Sequence, residues 1–184
     1  MSSTKHGLSS MIVTLVLFFS PAIQAAPLTD SPQVVRPADS DVIFMRKAAE
    51  AGAYEIEASK VALSKASTLA VKTFASQMIR DHEAADKDLM LLAQQVGVKL
   101  PASPSAEKMQ EINQLERLNG AAFDKAYVQN VGIDGHQDAV AMFRKASDNA
   151  KNDRISAFAK KTLPTVTHHL GMAHKLAREV GMGQ

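Results

Sequence analysis

After residue 38, apolar residues recur at steps of three and four along most of the chain. That spacing is the period of an α-helix buried on one side, and no stretch shows the sustained two-residue alternation of a strand. Helix-ending signals divide the pattern, since Ser67 or Thr68 can cap a helix and Gly97 can end one. The pattern predicts an all-α domain, with helices over roughly residues 41–65, 68–97, 104–119, 121–147 and 150–181.

Four of these predicted helices are long, with about 25–30 residues each, and would extend for roughly 40 Å at about 1.5 Å per residue. The short helix between the second and the fourth would then be a connector. Four long amphipathic helices with one longer crossover describe a four-helix bundle, and a ferritin-like topology is one of its standard forms. We therefore expect residues 39–184 to form an all-α, ferritin-like four-helix bundle with a short extra connecting helix.

Each predicted long helix carries one ionisable side chain near the middle of its apolar stripe. A buried carboxylate or imidazolium is costly in an apolar core, so such groups pair with each other or bind a metal. Three imidazoles and one carboxylate would suit Zn²⁺, or iron or copper with an open coordination position. The predicted metal ligands are Glu55, His82, His136 and His169.

The same four residues also fit a metal-free core. A histidine on an apolar stripe is usually hydrogen-bonded to a neighbour, and here the imidazoles and the carboxylate could bond to each other alone. A wrongly assigned helix face would remove one or more of them from the core. The sequence therefore leaves three interpretations: one bound metal ion, a metal-free polar network, or a misassigned face.

The chain lacks the ligand pattern of a di-iron centre. That chemistry takes a Glu-x-x-His pair from each of two helices. No such pair occurs at the predicted ligands, because the residues three before the histidines are Ile79, Ile133 and Val166.

Methionine beside histidine would suggest copper. Met78, Met142 and Met172 lie near the predicted histidine ligands, although methionines at helical spacing usually fill the core. The two remaining histidines of this region, His168 and His174, fall off the apolar stripe, and we expect them in solvent.

The apolar pattern changes face within the fourth long helix. One stripe includes Ala122 and His136, whereas Phe123 and Tyr127 follow a second stripe displaced by about one residue. A one-residue π-bulge near Gly132 would bring both stripes into the core. The alternative is that the two aromatic residues occupy the shoulder of the buried face.

Pro164 lies well inside the last predicted helix. A proline there removes a backbone hydrogen bond, and its ring crowds the preceding turn. We therefore expect a kink five residues before His169.

The first 25 residues predict a signal peptide. Lys5 gives a weakly positive start, residues 11–20 form a short apolar run, and small residues follow with a cleavage point after Ala25. The run is too short for a comfortable membrane-spanning helix, and an uncleaved leader that anchors the protein is the alternative. Residues 26–38 contain three prolines and predict a flexible linker. We expect the mature protein in the bacterial periplasm.

The composition excludes several functions. The chain has no cysteine, which rules out a disulfide, thiolate chemistry and covalent haem attachment. Its 21 basic and 19 acidic residues nearly balance, and removing the leader, with Lys5 as its only charged residue, leaves 20 against 19. Nothing in that balance indicates nucleic acid or an anionic membrane surface as a partner. Without a recognisable nucleophile motif or phosphate-binding loop, we do not expect an enzyme.

Several stretches resemble one known family. Residues 51–89 contain Asp-His, residues 118–128 contain Phe-Asp with a following Tyr, and residues 163–170 contain Leu-Pro ahead of His-Leu. Together with His136 they resemble the bacterial domain-of-unknown-function family numbered 4142, over nearly the whole chain after residue 38. On that resemblance the signature positions would be Glu55, Asp81, His82, Phe123, Asp124, Tyr127, His136, Pro164 and His169.

The family is regarded as ferritin-like and exported, often as a membrane or outer-membrane protein, so the resemblance implies that fold and a leader. It implies no reaction, because the family's activity is not established. Two hypotheses follow. In the first, a periplasmic bundle binds one Zn, Fe or Cu ion for metal handling or envelope stress, with Asp81 or Asp124 accepting a hydrogen bond from an imidazole. In the second, a metal-free structural or interaction module of the cell envelope acts as a homodimer or through a protein partner.

Overall fold

The computed structural model describes residues 1–2 and 36–183. The predicted signal peptide and most of the predicted linker therefore lie outside the described residues. Between residues 36 and 183 every regular element is helical, which confirms the all-α prediction. The helices are α1 (Asp39–Lys65), α2 (Leu69–Val96), α3 (Ala106–Glu116), α4 (Gly120–Tyr127), α5 (Gly135–Asn149) and α6 (Asp153–Glu179), and a π-helical segment (Val128–Asp134) joins α4 directly to α5.

Short polar side chains fix the starts of several helices. At the start of α2, the Thr68 hydroxyl accepts a hydrogen bond from the Val71 amide at 3.3 Å. Ser105 and Asn152 cap α3 and α6 in the same way. Gly97 ends α2 in the left-handed conformation (φ 70°), which a residue without a β-carbon adopts freely. The predicted start and end of α2 are thus confirmed, and both follow from local sequence.

Four long helical rods make up the described bundle: α1, α2, the continuous rod from α4 to α5, and α6. α1 packs along α2, α5 packs along α6, and both α2 and the π-helical segment contact α6. α3 packs on α1 and connects α2 to α4. Packing between α1 and α5 is sparser, and a groove opens between them. The helical bundle with a short connecting helix is confirmed, and its ferritin-like topology stays a prediction.

The apolar core consists of two clusters, one toward each end of the bundle. On α2 the first cluster ends at Met78 and the second begins at Leu89. The α4–α5 rod and α6 have similar intervals, and a buried histidine lies in each of the three: His82, His136 and His169. On α1 the buried Glu55 follows Tyr54, the first residue of that helix in the first cluster.

Two buried aspartates tie the connecting turns to the rods. Asp124 on α4 accepts hydrogen bonds from the Ser67 amide (3.0 Å), the Ser67 hydroxyl (2.7 Å) and the Thr68 amide (3.1 Å). Asp41 on α1 does the same for the turn before α6, where it accepts from the Lys151 amide. Asp124, one of two aspartates expected to support an imidazole, therefore anchors the turn between α1 and α2 instead.

The helix α6 continues past the proline that it contains. Pro164 is exposed within α6, and the helix extends from Asp153 to Glu179 on both sides of it. A kink at this proline stays a prediction.

Among residues 36–183, no helix combines the length and the apolar character that crossing a membrane requires.

Candidate metal centre

The four residues predicted as metal ligands lie together in the middle of the bundle. Glu55 comes from α1, His82 from α2, His136 from the first turn of α5, and His169 from α6. Each side chain is buried, with a relative exposure of 7% or less. One ring nitrogen from each histidine lies within 4.8 Å of the other two. The fold thus brings one carboxylate and three imidazoles to one place.

A backbone carbonyl orients the His136 ring. Its Nδ1 lies 3.0 Å from the carbonyl oxygen of Val131, which belongs to the π-helical segment. A carbonyl oxygen can only accept, so Nδ1 carries the proton and donates it. In the neutral ring Nε2 then keeps a lone pair and can act as a metal ligand.

A carboxylate orients the His169 ring. Its Nε2 lies 2.8 Å from Oδ2 of Asp81, which precedes His82 on α2. Because a carboxylate accepts, Nε2 donates its proton to Asp81, and Nδ1 is the nitrogen that keeps a lone pair. Metal-binding histidines are commonly held by such a carboxylate. The predicted role of Asp81 as a hydrogen-bond acceptor is confirmed by this contact.

Glu55 lies beside the other two imidazoles. Its Oε2 is 3.2 Å from Nε2 of His82, and its Oε1 is 3.6 Å from Nδ1 of His136. The shorter contact is not aligned as a hydrogen bond, because Nε2 of His82 has no hydrogen-bond partner in the described part of the chain. The carboxylate is nevertheless near enough to share an ion with the imidazoles.

Three imidazole nitrogens at this centre lack hydrogen-bond partners among the described residues. They are Nε2 of His82, Nε2 of His136 and Nδ1 of His169. A buried polar atom without a partner costs about 1–3 kcal/mol, and such atoms are rare in native structures. Nitrogens bound to one Zn²⁺ ion at about 2.0–2.1 Å lie roughly 3.3 Å apart. One ring nitrogen of each histidine lies within 4.8 Å of the other two, so an inward movement of the rings would bring three nitrogens to that spacing.

The π-helical segment determines the direction of the His136 side chain. A π turn holds one more residue than an α turn, so the buried face shifts by one residue across it. Tyr127 before the segment and His136 after it are consequently both fully buried, whereas Ala122 is exposed. The predicted buried stripe through Ala122 is therefore wrong for the first half of this rod, where Phe123 and Tyr127 face the core. The π-bulge interpretation is confirmed, and the shoulder interpretation is wrong.

Residues 26–176 match the family described as Domain of unknown function (DUF4142). The chain belongs to this family. The matched range contains all four residues of the centre and every rod of the bundle except the end of α6. The resemblance drawn from sequence motifs is thereby confirmed. No curated protein matches the sequence.

The DUF4142 bundle is similar in fold to solved structures. A DUF305 fragment from Deinococcus radiodurans has 16% identity and a TM-score of 0.67, with 78% of this chain and 99% of that chain covered. CopM in its Cu(I)-bound form has 20% identity and a TM-score of 0.63, with 76% of this chain and 96% of that chain covered. At these identities the likeness shows a shared helical bundle.

Burial keeps the three histidines of the DUF4142 centre neutral. It lowers the pKa of His136 to about 4 and holds the pKa of His82 well below the usual value of 6.5, and neighbouring imidazoles add to both effects. Burial also lowers the pKa of His169, although the hydrogen bond to Asp81 opposes this change. Neutral imidazole is the form that binds a metal, so no proton has to leave the rings at neutral pH.

Burial affects the carboxyl group in the opposite direction. It raises the pKa of Glu55 to about 8, and the nearby Asp86 carboxylate adds to the rise. Without a bound ion, Glu55 is therefore protonated at neutral pH, and its contact with His82 joins two neutral groups. A cation at the centre would favour the ionised carboxylate. Metal binding at this centre would accordingly be coupled to the loss of one proton.

Two contributors to the centre are missing from the sequence prediction. Val131 acts through its backbone carbonyl, which no side-chain pattern reveals. Asp86 follows His82 by one helical turn, and its carboxylate packs on Gly52, where a β-carbon would lie 2.6 Å from Oδ1. The four-residue spacing from His82 is the one signal that could have indicated Asp86.

The three methionines near the predicted histidine ligands belong to or pack against the apolar clusters, and the remaining two histidines of this region lie at the surface. Met78 is fully buried in one apolar cluster, and Met142 and Met172 are partly buried against the two clusters. This placement fits core filling better than copper ligation. His168 and His174 are exposed, as predicted.

Proposed function

We propose that this protein binds one transition-metal ion at the centre of its helical bundle. His82, His136 and His169 would hold the ion through ring nitrogens, and Glu55 would complete the set with a carboxylate oxygen. The observation that carries the proposal is the group of three buried imidazole nitrogens with no hydrogen-bond partner among the described residues. Three imidazoles and one carboxylate form a four-coordinate donor set of a kind that zinc and copper accept.

Copper and zinc are the first metals to test. Imidazole ligands suit Zn, Cu and Fe, and Cu²⁺ binds most tightly in the divalent series. CopM, a structural neighbour with 20% identity, is described in a Cu(I)-bound form, which adds support for copper. Iron as a single ion is the third candidate, since a di-iron centre would need the Glu-x-x-His pairs that this chain lacks.

The proposed role is metal handling or protection against envelope stress in the periplasm. The predicted leader supports export, and ligands from four separate rods would hold the ion away from solvent. Mass spectrometry of protein recovered from the periplasm tests the location. A mature chain that begins at Ala26 is expected, whereas an intact leader in the membrane fraction would contradict it.

A metal-free module of the cell envelope, acting as a homodimer or through a protein partner, is the alternative. A protonated Glu55 supports it, because a small rotation of the side chain would let its hydroxyl donate to Nε2 of His82, 3.2 Å from Oε2. That hydrogen bond would still leave Nε2 of His136 and Nδ1 of His169 without a partner among the described residues. For this reason we favour a bound ion.

Elemental analysis of protein expressed with its leader and purified without a His tag tests the proposal. We expect about one equivalent of metal per chain, and uptake of about one equivalent of Cu²⁺ or Zn²⁺ after chelation. The variants that should lose this capacity are His82→Ala, His136→Ala and His169→Ala.

His168→Ala is the matched control. His168 neighbours His169 on the same helix but is exposed. The variant therefore removes an imidazole and keeps all four proposed ligands. This variant should keep the full metal capacity. Less than about a tenth of an equivalent in the wild-type protein, with no uptake on titration, would contradict the proposal.

A further inference from the structure

Glu55 is the member of the proposed metal centre that also reaches a surface groove. The groove lies between α1 and α5, beside the start of α3, and has a volume of about 690 Å³. Glu55 and Gly135 are among its lining residues. The three histidines are not among the described residues that line this groove. Glu55 is therefore the one member of the centre that borders this groove in the described part of the chain.

A second, smaller cavity lies on the inner side of the same carboxylate. Its volume is about 20 Å³, which is room for one water molecule or one small ion. Its polar lining residues are Glu55, His82, Asp86 and Thr162, and Phe143 is one of its apolar lining residues. Ala51 and Ala139 line both the groove and this cavity. Groove and cavity are thus separated by one carboxylate and two of the smallest side chains.

We propose that a metal ion reaches the centre through the groove between α1 and α5, and that Glu55 is the first of the four ligands of the centre that the ion meets. This inference rests on the proposed metal-binding function. An ion that leaves the groove for the buried centre sheds water, and an oxygen ligand has to replace that water. Glu55 provides that oxygen in the groove, and it lies 3.2 Å from His82 and 3.6 Å from His136 on the inner side. The ion can therefore pass from carboxylate to imidazole by exchange of ligands.

Gly135 leaves the carboxylate uncovered on the groove side. A β-carbon at this position would lie 3.5 Å from Oε1 of Glu55, which is an ordinary contact distance. Any longer side chain at position 135 would therefore cover the carboxylate. The sparse packing between α1 and α5 leaves room for the same passage.

A second groove, of about 380 Å³, lies on the other side of the inner cavity, between α1 and the segment after α2, and Asp86 and Leu89 line both spaces. The Asp86 carboxylate packs tightly on the backbone of α1 at Gly52, since a β-carbon there would lie 2.6 Å from its Oδ1. Ala53 lines this second groove, two residues from Ala51, and provides a matched position on the same helix.

Stopped-flow mixing of the metal-free full chain with Co²⁺ tests the path, because visible absorption reports the bound ion. Ala51→Leu narrows the proposed passage and should slow uptake by about tenfold, with an unchanged final absorbance. Gly135→Leu covers the carboxylate and should act in the same direction, which keeps the test valid if one variant folds poorly. Ala53→Leu is the control and should leave the rate unchanged.

The outcomes separate the path from the function. Slower uptake in Ala53→Leu, with normal rates in Ala51→Leu and Gly135→Leu, would overturn the proposal and locate the path on the α2 side. Equal rates in all folded variants would also overturn it while leaving the metal function intact. A wild-type chain that binds no Co²⁺, Zn²⁺ or Cu²⁺ at equilibrium would overturn both.

Discussion

Asp81 on α2 and His169 on α6 are joined across the bundle by a 2.8 Å contact between Oδ2 and Nε2. The His169 side chain is fully buried, whereas about a third of the Asp81 side chain (33%) is exposed. Because Nε2 donates its proton to the carboxylate, Nδ1 is the nitrogen left for the centre. A partly solvent-exposed residue thus sets the tautomer of a buried imidazole.

Asp81→Asn should weaken metal binding without abolishing it. An amide is a poorer acceptor than a carboxylate, so the tautomer and orientation of His169 become less well defined. We expect the affinity to fall by roughly 10–100-fold at unchanged stoichiometry, as measured by competition with a chelator. Asp88→Asn is the control, because Asp88 lies on α2 like Asp81 but forms an exposed ion pair with Lys161 of α6. Equal affinity losses in the two variants would argue against a specific role for Asp81.

The metal-free protein should lose stability as the pH rises from 6.5 to 8. The pKa of Glu55 is about 8 in the folded chain against 4.5 as its ordinary value, so between these values the folded state holds a proton that the unfolded state has lost. The histidines act in the opposite direction, because their pKa values are lowered on folding, and this contribution fades as the unfolded imidazoles lose their protons above about pH 6.5. The loss due to Glu55 alone is about 2 kcal/mol, measured as the difference between the wild type and Glu55→Gln in urea unfolding with a chelator.

Glu55→Gln provides the control for this pH dependence. Glutamine keeps the size of the side chain and does not titrate, so the free energy of unfolding should not fall over the same range, and the difference from the wild type isolates the contribution of Glu55. The metal-bound wild type should behave differently, since its affinity for metal rises with pH as Glu55 gives up its proton. A flat profile for the metal-free wild type would show that the carboxyl group is already ionised at pH 6.5.

Gly132→Ala should destabilise the protein although alanine favours a helix. A β-carbon at this position in the π-helical segment would lie 2.9 Å from Cβ of Ala173, so α6 has to move away. We expect a net loss of about 1–3 kcal/mol in thermal or urea unfolding. At Gly171, exposed on α6, a β-carbon meets no described atom within 4 Å. Gly171→Ala should therefore stabilise by about 0.5–1 kcal/mol, and a stabilising Gly132→Ala would contradict the close packing.

Asp124→Ala should cost stability but not metal capacity. The substitution removes the acceptor of three hydrogen bonds from Ser67 and Thr68 and leaves the turn between α1 and α2 unanchored. We expect the free energy of unfolding to fall by about 2–4 kcal/mol, with the folded variant still binding one ion per chain. Asp138→Ala, at an exposed position, should change neither quantity. Loss of metal from folded Asp124→Ala would instead indicate that the turn supports the centre.

Much of the centre is predictable because each ligand candidate interrupts an apolar stripe. The stripe of α2 has one polar member, His82, and the stripe of α1 has Glu55, so the periodicity alone selects them. The second half of the α4–α5 rod follows the same logic and selects His136. The first half does not, because the π-helical segment shifts the register and places Tyr127 in the core. A regular period of 3.6 residues cannot predict that shift of the buried face.

The amino-acid sequence by itself determined where the helices begin and end and which polar residues their buried faces contain. These properties depend on spacing and capping within single helices, and such interactions are local. Only the tertiary structure decided which ring nitrogens are free, that Asp81 supports His169 while Asp124 anchors a turn, and that Glu55 borders a groove. These features depend on the height and rotation of each rod against its neighbours. Those are settled by packing between residues far apart in the chain, such as Asp81 and His169.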